Sequence, residues 1–132
     1  MIFDWPEFLL LAYNITGMGA TTISDEAYWR AAISRAYYAT YHIALAYAER
    51  QHYQRPAGKG SHEALIAWYS ASQNPRRFEI SAQLDNLFRA RISADYYKHP
   101  PRSKYLYPAI NQNNLILSLL QADDILQSVS DL

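Results

Sequence analysis

The chain has 132 residues, half of them hydrophobic and 14% aromatic, which is enough for one folded domain over residues 1–132 and argues against general disorder. Its acidic and basic side chains balance to a net charge of zero, which excludes the overall basicity of a protein that coats nucleic acid. The absence of cysteine excludes a disulfide scaffold, a thiol nucleophile and a cysteine-ligated metal, and it fits a reducing cytoplasm.

The first predicted helix covers about residues 5–16. Asp4 is its expected N-cap, Pro6 lies in its first turn, and Glu7 follows Asp4 at the spacing of a capping box. A Gly-Met-Gly stretch then ends the helix. The opening residues lack the positive charge and the cleavage site of a signal peptide, so we expect no secretion signal.

The second predicted helix is the longest, with Ser24 as its expected cap, and its stretch runs to about Arg50. It contains eight alanines between positions 27 and 48, and small residues on several faces let neighbouring helices approach closely. If the helix continues to about Tyr53, it is roughly 45 Å long at 1.5 Å per residue, so several other helices must cover it. Arg30 and Arg35 interrupt its apolar run, and we therefore expect no membrane span.

Three further helices follow the loop at 55–60. Ser61 is the expected cap of the third, and Asn74 with Pro75 predicts the start of a fourth that continues to the prolines at 100–101. Pro108 is the expected start of the fifth. Its predicted inner face consists of Ile116, Leu119, Leu120 and Leu126. Because no segment alternates with period two, the fold class is all-α, a four-helix bundle with one additional helix.

The second helix carries two stripes of polar and aromatic residues. Arg35, Tyr38 and His42 share one face, because their spacings of three and seven residues correspond to about one and two helical turns. Arg30 and Ser34 lie on the other stripe with two tyrosines. A buried arginine needs either a carboxylate from a neighbouring helix or a cleft. In a cleft, arginine stabilises phosphate charge and histidine moves protons, so Arg35 and His42 are the catalytic candidates.

The fourth helix offers the expected partner for these charges. Arg91 and Asp95 are four residues apart and can pair along the helix, with Tyr96 beside them. Alternatively, Asp95 can reach across to Arg35 or Arg30. We favour the cross-helix pairing, because it would satisfy two charges that lie in apolar surfaces.

The remaining histidines, the glycine-rich loop and a basic run give weaker indications of a binding site. The histidines at 52, 62 and 99 lack metal-ligand spacing, so we expect no metal site and no cofactor. The segment GKGS at 58–61 lacks the full phosphate-loop pattern and predicts a flexible loop. Residues 76–104 hold seven basic side chains against three acidic ones. This run is compatible with a phosphate-bearing partner or with a solvated helix face.

Three stretches form a distinctive combination, namely WRAAISRAYYATYHIALAYAE, GSHEALIAW and LDNLFRARISADYY. Together they resemble the HEPN superfamily of small α-helical bundle domains, in particular its short prokaryotic members. The likeness extends over about residues 4–125. It implies an antiparallel helical bundle that commonly dimerises, is cytoplasmic, and occurs in toxin–antitoxin, defence or nucleotidyltransferase-associated settings.

The resemblance also implies a type of activity. Many HEPN members are metal-independent ribonucleases with an arginine and a histidine separated by four to six residues, usually on the later conserved helix. Here Arg91 is followed by Tyr96 and Tyr97 instead of histidine, and His99 comes after seven intervening residues. Arg35 and His42 do have the spacing of this motif, with six residues between them, but they lie on the second helix.

Three functions therefore remain open at the level of sequence. The first is a HEPN-like module that binds a nucleotide, RNA or a partner protein such as a nucleotidyltransferase or an antitoxin. The second is a metal-independent ribonuclease. The third is an unrelated helical interaction protein whose tyrosines cover a homodimer interface, because tyrosine combines an apolar body with a hydrogen-bonding tip.

Overall fold

The computed structural model describes residues 5–17, 25–58, 60–97 and 107–132. These residues form five helices and no strand, so the predicted all-α class is confirmed. The helices are α1 (Glu7–Gly17), α2 (Asp25–Arg50), α3 (Ser61–Ser70), α4 (Pro75–Tyr96) and α5 (Gln112–Ser130). No helix within the described ranges combines the length and the apolar character needed to cross a bilayer.

Helix α2 is the centre of the molecule, and it packs against all four other helices. Its contact residues include many alanines with no exposed surface, and such small side chains allow close helix approach. The fully buried ones are Ala32, Ala36, Ala39, Ala44 and Ala48. The prediction that several other helices cover this helix is thereby confirmed.

Helix α2 ends where the predicted stretch ends and does not continue to Tyr53. Its last residue is Arg50, because His52 adopts a left-handed conformation with φ of 67°. The amide of Tyr53 then donates to the carbonyl of Ala48 at 2.9 Å, and that of His52 to Glu49 at 3.0 Å. These two bonds form a Schellman motif, which satisfies carbonyl groups at the helix end. The expected caps Asp4 and Ser24 lie outside the described residues.

The expected start of α4 is confirmed, whereas that of α3 is wrong. The Asn74 side chain accepts a hydrogen bond from the amide of Arg76 at 2.9 Å, with Pro75 as the first helical residue. In α3 the N-cap is Gly60, and Ser61 is already helical and caps nothing. Helix α4 ends at Tyr96, before the prolines at 100–101, which are outside the described part of the chain.

For α5, the expected start is wrong and the expected inner face is partly correct. The helix begins at Gln112 after Asn111, whose side chain accepts a hydrogen bond from the amide of Asn114 at 2.8 Å, and Pro108 precedes the helix. The predicted inner face is also only partly correct, because Ile116 is 48% exposed and Leu120 55% exposed. The residues of α5 that are buried are Leu115, Ser118, Leu119, Ala122, Ile125 and Val129, with Leu126 partly buried against the core.

Helices α2 and α4 run antiparallel, as their polar contacts demonstrate. Arg30 near the start of α2 reaches Ser93 near the end of α4, and Tyr47 near the end of α2 accepts a hydrogen bond from Arg77 near the start of α4. Helix α3 is connected to α2 by the buried hydroxyl of Tyr69, which donates to a backbone carbonyl of α2 at 2.7 Å. These contacts position the side chains of the candidate site.

Replacing Leu84 by alanine tests the core. Leu84 has no exposed surface in the middle of α4, so Leu84→Ala should lower the free energy of unfolding by about 2–5 kcal/mol. Leu117→Ala on the exposed side of α5 is the control and should change it by less than about 0.5 kcal/mol. Urea denaturation followed by circular dichroism measures both changes. Equal effects in the two variants would contradict the assignment of the core.

Candidate functional site

His42 belongs to the stripe that the sequence singled out on α2. Its ring stacks on Trp5 with a centroid distance of 3.7 Å and an angle of 15° between the planes. The side chain is half-buried and makes no hydrogen bond within the described residues. Burial lowers the pKa of His42, because an imidazolium loses hydration there. His42 is therefore a neutral ring with nitrogens available to a ligand.

A second histidine, which the sequence analysis did not place in the site, comes from the first turn of α3. The Nδ1 atom of His62 lies 2.6 Å from the hydroxyl of Tyr37, and its ring stacks on Phe88 at 5.3 Å. Burial lowers the pKa of His62, and the positive charge of Arg91 and that of His42 in its protonated form lower it further, while Glu63 opposes the change. His62 is thus a second neutral imidazole.

The two histidines lie around the same pair of tyrosine rings. The centroid of Tyr41 is 5.2 Å from that of His42 and 4.5 Å from that of His62. The centroid of Tyr38 is 6.4 Å and 6.2 Å from the same two rings. These distances place both histidines in one aromatic cluster between α2 and α3.

Arg91 of α4 completes the cluster. Its Nη2 atom donates to the hydroxyl of Tyr38 at 2.6 Å and to that of Tyr96 at 3.3 Å. The centre of the guanidinium lies 5.1 Å from the ring centroid of Tyr38 and 5.2 Å from that of Tyr96. Its Nε atom forms an ion pair with Asp95 at 2.8 Å. Only 11% of the side chain is exposed. Burial opposes its charge, but Tyr38, Asp95 and Tyr96 outweigh burial and raise the pKa of Arg91.

Several polar atoms of this cluster have no partner within the part of the chain that the structure describes. They are the Nη1 atom of Arg91, the Nε2 atom of His62, both ring nitrogens of His42 and the hydroxyl of Tyr41, and none of them is fully enclosed. Because these atoms reach the surface and have no protein partner, they are available to a polar ligand. We call His42, His62, Arg91, Tyr38 and Tyr41 the histidine–arginine cluster.

The favoured pairing of Asp95 with Arg35 is wrong. Asp95 instead pairs with Arg91 along α4 and accepts a hydrogen bond from Ser34 of α2 at 3.2 Å. Arg35 is exposed, and its one hydrogen bond within the described residues goes to the carbonyl of Ala31 at 3.5 Å. The physical reason is proximity, since residues four apart on a helix are neighbours whatever the rotation of α2.

Arg30 has a structural role. Its Nη1 atom donates to the carbonyls of Ser93, Ala94 and Tyr97 at 2.8–3.0 Å, and its Nε atom pairs with Glu26. Carbonyl groups at a helix C-terminus have no partner within the helix and carry a partial negative charge, so a cation is favourable there. Arg30 thereby fixes the end of α4 on α2, close to Asp95.

The predicted catalytic residues, Arg35 and His42, are not in contact. They share a face of α2 but lie about 10 Å apart along its axis, and no hydrogen bond joins them. The structure instead brings Arg91 and His62 to the tyrosine rings that flank His42. No pattern in the sequence identifies His62, because its approach to α2 depends on the packing of α3.

A cavity of about 440 Å³ adjoins the histidine–arginine cluster. It is lined by Tyr41 of the cluster and by Ser61, the residue before His62, together with the end of α2 and the following loop. Its charged lining residues are Glu49 and Arg55. The volume lies within the range of small-molecule sites.

Among the described residues, no group of three or more acidic, histidine or cysteine side chains is arranged to hold a metal ion. The chain gives no match to a protein-family model, to a curated protein or to a solved structure. The functional proposal is therefore based on the geometry of the histidine–arginine cluster.

The two histidines should titrate below 6.5, the ordinary pKa of the side chain. Between the lowered pKa and 6.5 the unfolded chain binds more protons than the folded one, so the free energy of unfolding should fall as the pH decreases through this window. Proton NMR of the ring signals measures the titration, with the protein in concentrated urea as the control. Folded-state values at or above those in urea would contradict the prediction.

Proposed function

We propose that this protein is a HEPN-like helical module that binds a nucleotide through its phosphate, either free or in single-stranded RNA, at the histidine–arginine cluster. The observation that carries the proposal is the position of Arg91. Its guanidinium is held by Tyr38, Tyr96 and Asp95, while its Nη1 atom has no hydrogen bond within the described residues.

Arg91 suits a phosphate for a geometric and an electrostatic reason. A guanidinium is a planar fork of donors that matches phosphate oxygens, and it stays charged at all relevant pH values. Its low exposure reduces screening by water, which strengthens a contact to an anion. The two tyrosine rings restrict its rotamers, so little side-chain freedom remains to be lost on binding.

The aromatic residues supply the surface for a base. Tyr96 is 68% exposed and lies over the guanidinium of Arg91. Nucleic-acid bases stack on such rings without sequence preference, at about 1–3 kcal/mol per base. Arg35, one turn before Tyr38 on the same face of α2, is exposed and is the proposed contact for a second phosphate.

The proposal includes the features that the resemblance implies for the whole molecule. These are an antiparallel four-helix bundle with one additional helix, a cytoplasmic homodimer, and a nucleotidyltransferase or antitoxin as partner in a toxin–antitoxin or defence setting. Exposed apolar residues support a dimer. Tyr13 of α1 lines an apolar cavity of about 260 Å³ together with Ile116 and Leu120 of α5, and burial of such a surface favours association.

Arg91→Gln tests the phosphate site, with Arg89→Gln as a matched control. Both arginines pair with an aspartate four residues away on α4, but Arg89 pairs with Asp85 and lies outside the cluster. Loss of a charge-assisted hydrogen bond worth roughly 1.5–3 kcal/mol should weaken binding of a fluorescent oligouridylate or of ATP about 10- to 100-fold. Fluorescence anisotropy and calorimetry measure the two affinities.

The control variant should keep the affinity of the wild type within about twofold. Thermal melts show whether each variant is folded. Equal losses in Arg91→Gln and Arg89→Gln, or no binding of either probe by the wild type, would contradict the proposed site.

A second candidate is metal-independent cleavage of RNA. The specific observation in its favour is that His42 is neutral and makes no hydrogen bond within the described residues, so that its ring can accept a proton. His42 would take the proton of a ribose 2′-hydroxyl, whose oxygen attacks phosphorus. The 5′-oxygen would leave with a proton from water, and Arg91 would stabilise the charge on the phosphate.

This candidate predicts cleavage of single-stranded RNA in the presence of EDTA, with 2′,3′-cyclic phosphate ends. His42→Ala should lower kcat about 100-fold or more, since general base catalysis contributes roughly 10²–10⁴. Arg35→Ala should raise KM and leave kcat almost unchanged, because Arg35 is expected to contact the substrate at a distance from His42. Gel electrophoresis of labelled RNA measures both. Equal cleavage by wild type and His42→Ala would contradict this role of His42.

A further inference from the structure

Tyr37 and His62 form a pair that the proposed function does not yet use. Tyr37 of α2 has no exposed surface, and its hydroxyl lies 2.6 Å from the Nδ1 atom of His62. This is the one hydrogen bond of the hydroxyl within the described residues. The direction of that bond decides which nitrogen of His62 carries a proton.

The tyrosine must be the donor. If Nδ1 carried a proton and donated it, the hydroxyl hydrogen of Tyr37 would lie in the core without an acceptor, which is unfavourable for a buried donor. Burial also raises the pKa of Tyr37, so its hydroxyl keeps the proton. A neutral imidazole that accepts at Nδ1 carries its hydrogen on Nε2.

We propose that Tyr37 is a positioning residue that holds His62 neutral with its hydrogen on Nε2, so that His62 donates a hydrogen bond to a phosphate oxygen of the ligand. The inference rests on the proposed function for the ligand, but the state of His62 stands on the geometry of the pair. His62 then serves as a neutral donor, and His42 is left as the histidine able to accept a proton.

The other groups around His62 favour the same state. Helix α2 contributes the rings of Tyr38, Tyr41 and His42, and α4 contributes Phe88 and the charge of Arg91. Its own helix contributes Glu63, which acts in the opposite direction. Protonation of Nδ1 would also break the bond from Tyr37. A positive ring is therefore opposed by burial, by the charge of Arg91 and by the loss of one hydrogen bond.

A neutral donor has a consequence for the choice of ligand. Nε2–H binds an acceptor such as a phosphate oxygen, and it cannot accept a hydrogen bond from a donor. Arg91 contributes the positive charge that binds the anion. His62 adds a directional hydrogen bond, and therefore favours ligands that present two acceptor oxygens, as a phosphate does.

Nitrogen NMR of protein labelled in its histidine rings tests the state of His62 without any ligand, and the spectrum of His62→Gln assigns its signals. In the wild type Nδ1 should give the signal of an unprotonated nitrogen and Nε2 that of a protonated one. In Tyr37→Phe the signals should move towards an average of the two tautomers, and the pKa of His62 should rise. Tyr69→Phe removes another buried tyrosine hydroxyl and should leave the His62 signals unchanged.

Binding of oligouridylate tests the donor role. Tyr37→Phe should weaken it about threefold to tenfold, whereas Tyr69→Phe should not change it. His62→Gln should keep most of the affinity, because the glutamine amide provides a neutral N–H donor that does not titrate. His62→Leu should lose about tenfold, since it leaves the phosphate oxygen without this donor.

The NMR and binding results distinguish a failure of this inference from a failure of the proposed function. A protonated Nδ1 in the wild type, or equal losses of affinity in His62→Gln and His62→Leu, would overturn the inference while binding by the wild type still supports the proposed function. If Nδ1 is unprotonated but the wild type binds neither oligouridylate nor ATP, the proposed function is wrong. The donor role of His62 towards phosphate would then be wrong as well, while its neutral state would stand.

Discussion

The structure depends on the burial of α2. This helix carries alanine where other helices approach, so four helices pack around it and leave little of its surface to water. A buried polar group on it must therefore find a partner, either within α2, as Thr40 does, or on a neighbouring helix. The contacts of Arg30, Ser34, Tyr37 and Tyr38 with α3 and α4 follow from this requirement.

The site is a consequence of how α4 is fixed on α2. Arg30 binds three carbonyls at the end of α4, which sets the position of that end along α2. About one turn earlier on α4, Arg91 consequently meets Tyr38, while the exposed ring of Tyr96 covers the guanidinium. The polar contact that stabilises the fold and the arginine proposed to bind phosphate are thus two parts of the same helix pair.

Local signals predicted the fold class and some helix ends. Asn74 followed by proline predicts the start of α4 correctly, because the cap is a hydrogen bond between Asn74 and the amide of Arg76, two residues later. Such a local contact does not depend on how the helices pack. Ser61 and Pro108 were misleading, because Gly60 and Asn111 occupy the cap positions in the final structure. The predicted inner face of α5 is partly wrong for a different reason. Apolar residues cover more than one side of that helix, so its period alone does not identify the buried side.

The sequence by itself determined that the protein is helical, that α2 is its central helix, and that Tyr38 and His42 share a face of α2. The period of a helix is sufficient for such statements, because neighbours three and four residues apart are known without any tertiary contact. Only the tertiary structure decided that Asp95 pairs with Arg91 and that His62 joins the two tyrosine rings beside His42. The rotation and shift of one helix against another result from packing along their whole lengths, and no short pattern of residues encodes them.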